Sequence, residues 1–94
     1  MCTHQDLTDS VLFVSDAMAL AICRSVRAER ARNGLTQSAL AERLGVSQST
    51  IAAMESGTRR VYAHELPDIC RALDTTLASL LHGAPESDLR ALGV

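Results

Sequence analysis

Apolar residues recur along this chain with the period of a helix. From Asp16 to Asn33 the run DAMALAICRSVRAERARN sets Met18, Ile22 and Val26 one turn apart, holds strong helix formers and no Gly or Pro, and meets a helix stop at Gly34. Thr36 then stands where an N-cap belongs, and in QSALAERL the residues Leu40, Ala41 and Leu44 share one face while Glu42 and Arg43 face water. Gly45 ends this second helix, and Ser47 caps a third, QSTIAAMES, closed by Gly57.

Beyond Gly57 the stretch TRRVYAH has no helical period and reads as a loop. A fourth helix follows over about 65–73, starting between His64 and Leu66 so that Pro67 falls in its first turn, where a missing N–H costs nothing. Thr75 or Thr76 caps a fifth, TLASLL, ending at His82-Gly83. Ala84-Pro85 opens a polar tail with room for a last turn at 87–92. Ahead of the first helix, Leu7, Val11, Val14 and Met18 suit a helix, whereas VLFV equally suits a short strand. The expected architecture is all-α, with a helical domain over 16–83, an N-terminal extension over 1–15 and a C-terminal tail over 84–94.

A chain of 94 residues fits one domain that buries its own core without staples. One Phe, one Tyr and no Trp within a hydrophobic fraction of 47% make that core aliphatic. Cys2, Cys23 and Cys70 are scattered, with no C-x-x-C pair and no secretory segment, and read as reduced thiols of a cytoplasmic protein. Charges at Asp9, Asp16 and Arg24 bound and interrupt the most apolar stretch, which argues against a membrane span.

The net charge of −2 speaks at first against nucleic acid, but its distribution reverses the argument. Residues 16–60 carry a net +3, between −2 over residues 1–15 and −3 over residues 61–94, and all nine basic residues are Arg. The positive segment contains the two short helices joined at Gly45. Two helices joined by so short a turn cross steeply, which requires a small residue at the crossing, Ala41, and a permissive one in the turn, Gly45. Leu40, Val46, Ile51 and Met54 are expected to anchor the pair, leaving a small, polar outer face on the third helix.

On these residues the chain resembles the Cro/repressor-type (XRE-like) helix-turn-helix DNA-binding family. GLTQSALAERLGVSQSTIAAMESG follows the family's usual run, and the similarity continues through ICRALDTTLASLL, covering roughly residues 22–81. The resemblance implies a five-helix, lambda-repressor-like domain with its motif at 36–55, binding double-stranded DNA as a homodimer with the third helix in the major groove. By position, Gln48 and Ser49 would read bases, Gln48 matching N7 and N6 of adenine, while Ala52 and Ala53 would touch thymine methyl groups. Gln37 would clamp a phosphate, with Ser47 and Arg43 as further backbone contacts and Arg59 and Arg60 meeting the phosphate backbone or the minor groove. Arg30 and Glu55 would brace the first helix against the third. Many relatives carry a long polar side chain at the position of Ala53, so part of the specificity would rest on DNA shape.

Each of these residues also has a plainer reading. A Gln, Ser or Ala on a helix surface is usually solvated, an Arg pair in a loop is usually exposed, and Arg24, Arg27 and Arg32 read as a solvated face. Cys23 and Cys70 read as small core residues. Cys2-x-His4 is too sparse for zinc, and neither a metal nor a cofactor is expected. No nucleophile with a base, paired carboxylates or phosphate loop can be assembled, so an enzyme is not expected. The stripe Leu7, Val11, Val14, Met18 suits either packing within the domain or a dimer interface. The reading is a transcriptional regulator, a repressor on a near-palindromic operator. Its alternative is a protein-interaction module, such as an antitoxin or accessory factor, whose partner binds the N-terminal or acidic C-terminal segment.

Overall fold

The computed structural model describes residues 2–94, with side-chain surroundings from residue 17 onward. Every regular element among them is helical: α1 (Cys2–Arg32), α2 (Gln37–Leu44), α3 (Gln48–Ser56), a 3-10 turn (Ala63–Glu65), α4 (Leu66–Leu73), α5 (Leu77–Leu80) and α6 (Glu86–Leu92). The choice between helix and strand for residues 7–14 falls to helix, because α1 runs through them without a break. The surroundings of Cys2, His4, Leu7, Val11 and Val14 lie outside the described residues.

The capping residues act where their chemistry directs. Thr36 Oγ1 accepts a hydrogen bond from Ala39 N at 3.0 Å and Ser47 Oγ from Thr50 N at 3.2 Å, each satisfying a donor at a helix start that lacks an intrahelical partner. Gly45 adopts φ 69°, and its N–H bonds the carbonyls of Ala41 and Glu42, so the chain leaves α2 and enters α3 within three residues. A side chain there would hold a left-handed conformation that L-residues avoid. Pro67 lies in the first turn of α4.

Packing follows the apolar stripes. Val26 of α1, Leu40 of α2, Ile51 of α3, Ile69 and Leu73 of α4, and Leu80 and Leu81 around the end of α5 are shut off from solvent and form one aliphatic cluster. At roughly 1.5–3 kcal/mol per buried aliphatic side chain, this cluster dominates the stability of the domain. α2 packs on α3, and α1 lies against α3, α4 and α5, so the α2–α3 pair is seated on the other helices.

One expectation is corrected here. Val46 does not anchor the helix pair: it sits in the turn after Gly45 and is 38% exposed, leaving Leu40, Ile51 and Met54 to do so. The last turn expected at 87–92 is present as a helix, α6, ended by Gly93 and returned to the domain through Leu89, which packs against the core. Among the described residues no helix is long and apolar enough to cross a membrane.

Candidate nucleic-acid interface

The outer end of the α2–α3 pair is organised by a chain of hydrogen bonds that starts at a carboxylate. Glu55, near the end of α3, receives the Arg30 guanidinium through a fork: Nε donates to Oε2 at 2.6 Å and Nη2 to Oε1 at 3.0 Å. The third arm, Nη1, donates to the Leu35 carbonyl at 2.8 Å, so a single side chain ties α1, the α1–α2 turn and α3 together. The Glu55 hydrogen bond holds Arg30 more firmly protonated than an arginine in water. The paired brace expected from the sequence is thus present.

The same carboxylate continues outward. Gln37 Nε2, in the first turn of α2, donates to Glu55 Oε1 at 3.1 Å, and Gln37 Oε1 accepts from Gln48 Nε2 at 2.6 Å. Because Glu55 can only accept, it fixes which way the Gln37 amide faces, and that amide fixes Gln48 in turn. Gln48, which is exposed, keeps a second N–H and its carbonyl oxygen beyond this bond, the kind of donor–acceptor pair that a base edge requires. Sequence reading placed Gln37 and Gln48 separately. Their contact spans 11 positions, and no local spacing rule signals it.

Ser47, Ser49 and Thr50 form a hydroxyl cluster at the start of α3, with Ser47 Oγ 3.0 Å from Ser49 Oγ and 2.9 Å from Thr50 Oγ1. Ser47 and Ser49 are exposed beside Gln48, and Ala52 and Ala53 follow, half-exposed. The structure therefore gathers Gln37, Ser47, Gln48, Ser49 and Ala52 around one helix end.

Arg43 and Arg59 each have a partner within the chain. Arg43 is exposed, as expected, and its Nη1 also donates to the Ala72 carbonyl at 2.9 Å, in the last turn of α4, where the unpaired carbonyls of a helix end attract a cation. Arg59 is held by Glu65, with Nη2–Oε2 at 2.7 Å and Nη1–Oε1 at 3.3 Å, and its guanidinium lies 6.0 Å from the centre of the Tyr62 ring. Tyr62 in turn stacks on His64 with ring centres 5.8 Å apart. Arg59 holds the Glu65 carboxyl below the usual carboxylate range, against an opposing effect of burial. Glu65 also accepts from Tyr62 N at 2.9 Å, closing the turn before α4. Glu65 was missed in the sequence, although its place three residues after Tyr62 is the spacing at which a carboxylate reaches back to a backbone N–H.

Two capped helices joined by a left-handed glycine, with an ordered polar end on the second, define a helix-turn-helix DNA-binding domain. The comparisons agree: residues 26–80 match the helix-turn-helix family. Among solved structures, the chain is similar to the clp gene regulator ClgR from Corynebacterium glutamicum, with 31% identity over 74% of this chain and 91% of that one and a TM-score of 0.67. A second structure of that regulator covers 81% of this chain and 82% of its own at 31% identity and a TM-score of 0.66. The restriction-modification controller protein C.AhdI from Aeromonas hydrophila is similar at 27% identity, over 66% of this chain and 94% of that one, with a TM-score of 0.61. The chain belongs to the Cro/repressor-type helix-turn-helix family.

Proposed function

We propose that the protein is a transcriptional repressor that binds a near-palindromic operator as a homodimer, in the cytoplasm and on the nucleoid, and blocks polymerase. α3 enters the major groove. Gln48 and Ser49 read bases, Ala52 and Ala53 contact thymine methyl groups, and Gln37, Ser47, Arg59 and Arg60 hold the phosphate backbone. The two regulators named above, one of clp genes and one of a restriction-modification system, support the regulatory part of this reading.

The observation that carries the proposal is the run of hydrogen bonds from Arg30 through Glu55 and Gln37 to Gln48. A surface glutamine normally loses rotamer freedom on binding; one already oriented by its neighbours has met part of that cost in advance. Fluorescence anisotropy on an operator selected from random duplexes tests it. Gln48→Ala should cost about 1–3 kcal/mol on the operator and little on random DNA. Equal losses on both would remove Gln48 from base readout.

A further inference from the structure

We infer that Arg27 forms, with Gln37, a clamp for a phosphodiester of the same duplex that α3 reads. The inference rests on the DNA-binding reading above and adds a residue of α1 to its surface. Arg27 lies one turn before Arg30 on α1, on the side that meets α3. With Arg30, Gln37, Ala52, Glu55 and Ser56 it lines an open depression of about 300 Å³.

The charges in this depression do not balance. Arg30 and Glu55 neutralise each other in their forked pair, and the Glu55 side chain, 4% exposed, is further engaged by Gln37. Arg27 remains as an excess cation. It is exposed, and among the described residues no carboxylate or carbonyl holds it. Most other arginines differ: Arg32 pairs with Glu29, Arg59 with Glu65, Arg71 with Asp68, Arg90 with Glu86, and Arg43 bonds the Ala72 carbonyl.

The donors facing the depression fit a phosphodiester oxygen. The Arg27 guanidinium offers a planar fork of N–H groups suited to phosphate. The Gln37 amide has a second N–H beyond the one given to Glu55. A phosphate held by these two groups would lie one side chain away from Gln48, since Gln37 Oε1 already accepts from Gln48. Ala52, on the wall of the same depression, belongs to the face of α3 proposed to meet bases. Such a contact positions the helix in its groove without itself reading sequence.

Arg27→Ala, Arg27→Lys and, as a control, Arg24→Ala test the inference; Arg24 is also exposed on α1 but outside the depression. Anisotropy is measured for each on the selected operator and on a random duplex across a salt series, alongside the thermal midpoint. Arg27→Ala should weaken binding roughly fivefold on both duplexes and lower the slope of log affinity against log salt by about 0.9. Arg27→Lys should recover the slope, Arg24→Ala should match wild type, and the thermal midpoint should not move. An unchanged slope in Arg27→Ala, or a loss confined to the operator, would overturn the clamp. A wild-type chain that binds neither duplex would instead overturn the DNA-binding reading itself.

Discussion

Two arginine–glutamate pairs lie in the last turn of α3 and in the loop beyond it, and they are built for different purposes. Arg30–Glu55 joins residues 25 positions apart across two helices, with side chains only 17% and 4% exposed. Arg59–Glu65 closes a local loop between residues six positions apart, with side chains 32% and 22% exposed. The inner pair has further hydrogen bonds on both members, to the Leu35 carbonyl and to Gln37, so its charges are compensated from several directions. The outer pair keeps a part-exposed cation beside an acid that, on the proposed reading, competes with phosphate for it. Similar chemistry thus serves as a brace in one place and as a restraint on a proposed DNA-contacting loop in the other.

Breaking the inner pair should have the largest effect. Glu55→Ala leaves a half-buried guanidinium without its counter-charge and should cost about 3 kcal/mol in urea unfolding. A loss under about 1 kcal/mol would show that Arg30 relaxes into solvent and that the two pairs are equivalent. Glu65→Gln is the sharper test of the outer pair. Freed from its carboxylate, Arg59 should bind random duplex about threefold more tightly at low salt, with the gain fading toward 1 M salt as the Debye length shrinks to about 3 Å. Affinity unchanged by Glu65→Gln would mean that Arg59 does not meet phosphate.

The smallest effect concerns acid. The folded state lowers the pKa of Glu65, chiefly through the Arg59 hydrogen bond. Its contribution is therefore complete above the ordinary glutamate value of about 4.3 and is lost as pH falls through the lower folded value. For so exposed a pair the amount is about 0.5 kcal/mol. Thermal unfolding of wild type should fall slightly more steeply below that pH than that of Glu65→Gln; superimposable curves would assign the pair no role in stability.

The fold was legible wherever a local rule applied. Thr36, Ser47 and Thr76 are hydroxyl caps, Gly45 and Gly57 take positive φ, and Pro67 opens its helix, each from its own covalent chemistry. The extent of α1 was not legible, because Val11, Leu12, Phe13 and Val14 fit either period. α6 was read only as a last turn, since seven residues behind a proline carry little pattern and Leu89 is its anchor to the core. In the site, residue types and positions could be read, and so could the Arg30–Glu55 pair through the family resemblance, but most other partners could not. The partners of Gln48 and Arg43 depend on which helix ends tertiary packing brings together, over separations of 11 and 29 residues, whereas Arg59 meets Glu65 through the shape of an irregular loop that shows no period.

The run of hydrogen bonds that ends at Gln48 has a direction, and this decides what mutation can alter independently. At its outer end, on the proposed reading, exchanging Gln48 or Ser49 changes which bases are preferred while leaving the scaffold intact. At its inner end, exchanging Glu55 loosens the fold and disorients the reader together. New operator preferences are therefore accessible at one end of the relay at little cost in folding, whereas at the other end preference and stability can only change together.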